Sequence, residues 1–329
     1  MPNRISHVRA AALCVALTLT ATAEAQTRAT GSYPTRPIRL VVPYAPGGST
    51  DAIARILQPK FAEALGQQMV IDNRPGAAGS LGRELVAKAT PDGYTLIFAD
   101  APHTINVHVL RHVPYDPIRD FSPITLMASA PQALIVHPSF PAQTLKEFIA
   151  QLHAQPGKYN YGSGGTGSIT HLTGELFKLA TKTNLVHVPY KSIGLATADV
   201  MGTQVQAAFP TMPGIVQHVR SGRLRALAVS STRRVSALPD LPTFEETGVN
   251  GVIVSNWFGF FGPAKLPQDI VAQLHKTVTG ILHSQDVRSR LNNLSLEITT
   301  NTPSEFDTFL RAELEKWGKV VKAAGIKPE

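Results

Sequence analysis

The sequence predicts an α/β fold of two lobes, each a mostly parallel sheet flanked by helices, with a cleft between them. Three observations carry this expectation. The chain has 329 residues, which suits two domains of ordinary size. Short β-branched runs alternate with segments of helical periodicity from residue 38 to residue 229, the pattern of strands joined by crossover helices. Two of the strand-to-helix junctions are rich in glycine, and they fall in different halves of that alternation. Hydrophobic residues make up 43% and charged residues 16%, which excludes an intrinsically disordered chain.

The chain opens with a targeting pattern. Arg4 and Arg9 precede an apolar run over 10–22, and Ala23-Glu24-Ala25 gives the small-x-small site of a signal peptidase. Residues 1–25 are therefore expected to be a signal peptide, with the mature chain beginning at Gln26. The apolar run is shorter than the roughly 20 residues that span a bilayer. Cleavage would remove Cys14, the sole cysteine, and with it any disulfide or thiol chemistry. The net charge of +8 comes from basic residues spread along the chain with few aromatics between them, so nucleic acid is not an expected partner.

The elements follow in order. Residues 38–42 form a short buried strand stopped by Pro43, and Ile53, Ile56, Leu57, Phe61 and Leu65 recur at helical spacing over 49–65, between a capping Ser49 and a terminating Gly66. The unit repeats with a strand at 69–72, a loop at 74–79, a helix at 81–88 and a strand at 95–99. Strands are expected at 134–136, 159–161, 185–188, 205–209 and 224–229, with helices at 145–152, 169–179, 196–201 and 216–219. An apolar strand at 252–261 crosses back, and helices at 270–282 and 305–324 finish the chain. This order implies a discontinuous first lobe, 33–130 plus 253–329, and a second lobe at 131–252; a continuous split near residue 130 is the alternative.

The two glycine loops are Pro43-Tyr44-Ala45-Pro46-Gly47-Gly48-Ser49-Thr50-Asp51 and Tyr161-Gly162-Ser163-Gly164-Gly165-Thr166-Gly167-Ser168. Each opens a helix, where unpaired N–H groups and the helix dipole favour an anion. Glycine permits close backbone approach, and Ser or Thr adds hydroxyl donors. Each loop could equally be a tight capped connection. Two of them in different lobes, with the Gly76 to Gly82 segment opening a third helix, favour a cleft that grips an anion from both sides.

Competing chemistries lack support. Gly162, Gly164 and Gly167 match G-x-G-x-x-G, but the strand after them has no acidic residue for a ribose. There is no G-x-x-x-x-G-K-[ST] and no G-x-S-x-G. His103, His108 and His112 have no carboxylate to complete a metal shell and are expected at the surface. His171 would sit near a bound anion or donate to a loop carbonyl. Asp51 caps the first helix, fixes the first loop or accepts from a ligand amino or hydroxyl group.

At these residues the chain resembles the Bug-type periplasmic solute-binding proteins, the receptors of tripartite tricarboxylate transporters. Pro37-Ile38 through Val42-Pro43-Tyr44-Ala45-Pro46-Gly47-Gly48 and Asp51 is similar to that family's first loop, and Asn73-Arg74-Pro75-Gly76-Ala77-Ala78-Gly79 to its second. Pro91-Asp92-Gly93-Tyr94-Thr95-Leu96, the Tyr161 to Ser168 loop with His171-Leu172, Val188-Pro189-Tyr190-Lys191, Leu238-Pro239-Asp240-Leu241-Pro242-Thr243, Glu246 and Trp257 carry the likeness onward. Ser192 stands where that family commonly has glycine, and Leu195 where it often has proline.

The resemblance implies a type II periplasmic-binding-protein fold and a non-enzymatic receptor without cofactor or metal. Its expected ligand is a small organic carboxylate: a di-, tri- or aromatic carboxylate, or an amino acid. Membrane permease subunits are the expected partners, and the receptor a periplasmic monomer. A sensory co-receptor is the alternative, and a cleft enzyme using His171 or Asp51 a weaker one. The expected ligand-binding residues are Tyr44, Ala45, Pro46, Gly47, Gly48, Ser49, Asp51, Gly79, Ser80, Asp100, Ser163, Gly165, Thr166, Gly167, Ser168, His171, Tyr190 and Phe209.

Overall fold

The computed structural model describes residues 33–47 and 49–328. The expected signal peptide, with Cys14, and Gly48 of the first loop lie outside the described residues. One six-stranded sheet has the order β11-β4-β10-β3-β1-β2. Its strands are β1 (Ile38–Val42), β2 (Met69–Asn73), β3 (Thr95–Asp100), β4 (Phe121–Pro131), β10 (Ser255–Pro263) and β11 (Glu297–Ile298). The second sheet has the order β7-β6-β8-β5-β9, from β5 (Ala133–Val136), β6 (Asn160–Ser163), β7 (Val186–Pro189), β8 (Ala207–Ala208) and β9 (Arg225–Val229).

Both sheets are mixed rather than parallel throughout. β1 pairs in parallel with β2 and β3, Ile38 facing Met69 and Leu40 facing Leu96, and β6 pairs in parallel with β7 and β8. These are the strands joined by helices. Antiparallel pairing enters where the chain passes between the sheets in extended form. β4 leads through Gln132 into β5, and β10 returns beside β4 with Ser255 opposite Pro131 and Pro263 opposite Phe121. The six-stranded sheet thus joins strands from both ends of the chain.

Helices cover the sheets. α1 (Ser49–Leu65) buries Ile53, Ala54, Leu57 and Phe61 at three- and four-residue spacing, and Phe61 packs with Phe98 of β3 and Phe260 of β10. α2 (Ser80–Ala87) and α3 (Pro102–Val109) follow in the first lobe. In the second lobe come α4 (Leu145–Ala154), with a Thr144/Glu147 capping box, α5 (Ile169–Thr181), α6 (Ile193–Met201) and the short α7 (Val216–Arg220). α8 (Gln268–His283), α9 (Gln285–Asn293) and α10 (Pro303–Ala323) close the chain on the first sheet.

The cores explain how the lobes meet. Leu134, Phe148, Tyr161, Phe177 and Phe209 fill one side of the second sheet. Ile169 and Leu172 of α5 instead share a core with Ile105 and Val109 of α3 and Trp317 and Val320 of α10. The helix opened by the second glycine loop therefore packs on the first lobe.

Two expectations need correction. The strand expected at 205–209 keeps its ladder only at Ala207–Ala208. The histidines are not all at the surface: His103 is wholly buried between Phe121 and Phe261, its Nε2 2.8 Å from the Pro117 carbonyl oxygen. Burial, together with the charge of Arg83, lowers its pKa to about 3, so the ring is neutral and behaves as a core aromatic.

Candidate ligand-binding cleft

The first loop connects β1 to α1 and is held from inside by Asp51. The Asp51 carboxylate accepts from the Gly47 N–H at 2.9 Å, from Arg55 Nε at 2.8 Å and from Asn73 Nδ2 at 3.0 Å. Asn73 Nδ2 also donates to the Tyr44 carbonyl at 3.0 Å, which ties this loop to the end of β2. Burial alone would raise the Asp51 carboxyl. The donors Arg55, Gly47 and Asn73 outweigh it and hold the group below the ordinary carboxylate range. Of the roles open to Asp51, the geometry shows it fixing the loop. Ala45, Pro46, Gly47 and Ser49 are exposed on the outer side.

The second segment, between β2 and α2, is strained. Gly76, Ala77, Ala78 and Gly79 all have positive φ, at 131°, 47°, 52° and 84°. Left-handed alanine costs about 1–2 kcal/mol each, so the surroundings must impose the turn. They do so through the Ala78 carbonyl, which accepts from Arg83 Nη1 and from Asn106 Nδ2, both at 3.1 Å. Asn106 also donates to Ser80 Oγ at 3.2 Å. A Cβ at Gly79 would lie 2.3 Å from Arg83 Nη1, so only glycine fits there.

Beneath these loops lies a buried charged group. Arg83 Nη2 donates to Asp100 Oδ1 at 2.7 Å and to the Tyr44 hydroxyl at 3.2 Å, and Tyr44 donates to the same Asp100 oxygen at 2.6 Å. The Arg83 side chain is 0% exposed, which decides that its charge must be paired internally. Burial opposes the Arg83 charge, but the Tyr44 hydroxyl oxygen and the Asp100 carboxylate that accept from it outweigh burial and keep the guanidinium charged. Burial also pushes the Tyr44 hydroxyl up, so it stays a donor, and pushes Asp100 up against the pull of Arg83.

The loop of the second lobe, between β6 and α5, has a different interior. The Gly164 N–H donates to Thr170 Oγ1 at 2.9 Å, Gly165 N–H to Ser163 Oγ at 3.1 Å, Gly167 N–H to His171 Nδ1 at 3.0 Å and Ser168 N–H to the Gly165 carbonyl at 3.1 Å. His171 accepts on Nδ1, so it does not donate from that atom to a loop carbonyl. Among the described residues, the N–H groups of Thr166, Ile169 and Thr170 have no hydrogen-bond partner within the protein. Thr166 is exposed at the tip. The N–H groups this loop leaves available are thus those of Thr166 and the first turn of α5, while the Ser168 and Thr170 hydroxyls, 3.0 Å apart, share one hydrogen bond and leave a single hydroxyl proton between them.

α3 brings the pieces together. It starts just after Asp100, holds the second segment through Asn106, and at Val109 meets the loop of the opposite lobe, where a Cβ on Gly167 would lie 2.7 Å from Val109 Cβ. Tyr190 closes the back of that loop. Its N–H donates to the Ser163 carbonyl at 3.1 Å, and its hydroxyl donates to Asp199 at 2.6 Å. Ser192 caps α6 by accepting from the Leu195 N–H, and Leu195 is half exposed. Phe209 is not brought to the loops: it is wholly buried and packs against Tyr161 and Phe177, because it continues β8 toward the core.

Sequence reasoning missed Arg83, Asn73, Asn106 and His187, whose Nε2 lies 2.6 Å from Ser163 Oγ. An arginine one turn before Val86 on the buried stripe of α2 was the available signal for the first. Among the described residues no cluster of histidine, cysteine and carboxylates could hold a metal, and no helix is long and apolar enough to cross a membrane. A cavity of about 650 Å³ in the second lobe, lined by Leu145, Val219, Leu227, Leu238 and Leu241 among others, shares no residue with the loops.

A two-lobed α/β fold of two mixed sheets flanked by helices is shared by a class of ligand receptors, and comparison with known proteins makes the class specific. The family model of the tripartite tricarboxylate transporter family receptor matches residues 53–326. The chain is 35% identical over 298 residues to protein BugT of Bordetella pertussis, covering 90% of this chain and 91% of that one. Rpa4515 of R. palustris, solved with adipate, is 34% identical with a TM-score of 0.81, over 90% of this chain and 100% of the other. MatC of Rhodopseudomonas palustris, solved with bound malate, is 32% identical with a TM-score of 0.77, over 88% and 100%. The chain belongs to the tripartite tricarboxylate transporter receptor family. It has the periplasmic-binding-protein fold, and it is a receptor of that transporter family rather than an enzyme.

Proposed function

We propose that this receptor is exported to the periplasm, captures a small organic carboxylate between the Tyr44–Ser49 and Ser163–Ser168 loops, and delivers it to a membrane permease. The observation that carries this reading is that α3 holds the Gly76–Gly79 segment through Asn106 and meets the opposite loop at Gly167, while Tyr44 of the first loop is tied to Asp100 just before α3 and the Thr166, Ile169 and Thr170 N–H groups are left over. Neutral donors at the start of a helix suit a carboxylate, and water bridging would adapt them to different ligand bodies at little cost. The adipate and malate of the relatives are carboxylates of this size.

The lobes of this receptor are residues 33–130 plus 253–329 and residues 131–252. Two crossings join them, and they are tied to each other: the Gln132 N–H donates to Ser230 Oγ, and Ser230 in turn bonds to the Gln132 and Val254 backbone. Rotation about this pair would close the cleft, with the ligand supplying contacts present only when both loops touch it. No nucleotide takes part.

A thermal-shift panel of dicarboxylates, tricarboxylates, aromatic acids and amino acids tests this reading on the mature protein. Ligand at a hundred times its Kd adds about 2.7 kcal/mol, a shift of several degrees. Stabilisation by one acid class is expected. Stabilisation by a dinucleotide alone would overturn the assignment and restore the G-x-G-x-x-G reading of Gly162.

A further inference from the structure

We propose that His187 is a positioning residue of the second-lobe loop: its Nε2 accepts a hydrogen bond from the Ser163 hydroxyl and, with His171, fixes the backbone on both sides of Thr166. The inference rests on the reading of that loop as an anion site and names what shapes it.

The geometry is a pair of stacked imidazoles with a loop hung from them. The His171 and His187 rings lie 3.9 Å apart between centroids at an interplanar angle of 16°. His171 Nδ1 accepts from the Gly167 N–H, and His187 Nε2 lies 2.6 Å from Ser163 Oγ. Ser163 Oγ in turn accepts from the Gly165 N–H at 3.1 Å, so its own proton must go elsewhere. The alternative acceptor, the Gly165 carbonyl, is farther away at 3.2 Å. Gly165 and Gly167 are thereby fixed by one aromatic stack, and the N–H of Thr166 between them is left pointing to no protein group.

The surroundings keep His187 a neutral acceptor. Burial, then His171 and Lys178, lower its pKa to about 3. On α5, Glu175 is engaged by Lys178 at 2.8 Å and by the Tyr161 hydroxyl at 2.7 Å. On α6, Asp199 is engaged by Tyr190. Neither carboxylate is left without a donor of its own.

The test compares His187→Phe, which keeps a flat stacked ring without an acceptor, with His187→Gln, which restores an acceptor at similar reach. Amide hydrogen exchange measured by NMR should show Gly165 at least about tenfold faster in His187→Phe and near wild type in His187→Gln, the worth of one hydrogen bond. Affinity for adipate or malate by calorimetry should fall about tenfold in His187→Phe, recover in His187→Gln, and show no further loss when His187→Phe is added to Ser163→Ala. Unchanged Gly165 exchange in His187→Phe, or an equal loss in the Ser163→Ala background, would overturn the proposal. If no acid of the thermal-shift panel binds the wild type, the proposed function fails while Gly165 exchange still decides the role of His187. Should His187→Phe not fold, the ¹⁵N shifts of the wild-type ring decide: a proton on Nδ1 and none on Nε2 supports the proposal, and the reverse contradicts it.

Discussion

The two glycine loops share a plan of strand, glycine turn and helix, yet they are braced by opposite chemistry. The first-lobe loop stands on ion pairs, Asp51 with Arg55 and Asp100 with Arg83. The second-lobe loop stands on neutral acceptors, the Ser163 and Thr170 hydroxyls and the His171 imidazole. The start of a helix can thus be braced either by ion pairs below it or by neutral acceptors folded back on its loop. In the first lobe charge is buried and paired below the loop. In the second it is replaced by groups that accept N–H donors and leave a few free.

The comparison breaks most severely at Arg83. Arg83→Met leaves the Asp100 carboxylate buried without its cation, and a loss of about 3–5 kcal/mol is expected in urea unfolding. The second-lobe loop has no charged counterpart of that weight. There the largest effect comes from geometry: Gly167→Val adds bulk 2.7 Å from Val109 at a φ of +75°, which should cost about 3 kcal/mol. Urea unfolding reads this loss, and a Gly167→Val variant as stable as wild type would show that the lobes do not meet there.

Asp51→Ala sharpens the contrast further. It removes the acceptor for Gly47, Asn73 and Arg55, and about 1–2 kcal/mol should be lost in thermal melts. The probe that needs no change at either loop is pH. His103 titrates near 3 when folded and near the ordinary 6.5 when unfolded, so the unfolded chain gains the proton first as pH falls. Its contribution is complete above pH 6.5 and declines toward pH 3 by about 1.4 kcal/mol per pH unit. His103→Phe should flatten the pH dependence of Tm over that window.

Most elements were legible because their periodicity is strong: the first helix has the bounds that Ser49, the 53–57–61–65 spacing and Gly66 imply. β4 was not legible, because Pro123, Thr125 and Ser129 interrupt its apolar run while its long pairing with β10 stabilises it. Which face of α2 is buried was not legible for a related reason. Leu81 is exposed and Arg83 buried, since Asp100 and Tyr44 supply partners that no local pattern reveals. The glycine loops were visible as loops, but which N–H groups they leave available depends on His171, Ser163 and Asp51 side chains folding back on them. His187 sits between two valines in a strand whose expected alternation fails, as Val186 is the exposed member.

The central claim is that a carboxylate is held jointly by loops from the two lobes. It is tested most directly by calorimetry of wild type, Gly47→Val and Gly165→Val with the acid that stabilises the mature protein best. Both substitutions act at positive φ on the loops, at +96° and +114°, and neither meets a buried core. The account predicts that each variant loses binding by about a hundredfold or more while still unfolding cooperatively, with a Tm lowered only by the strain of valine at positive φ. Affinity unchanged in either variant would contradict it.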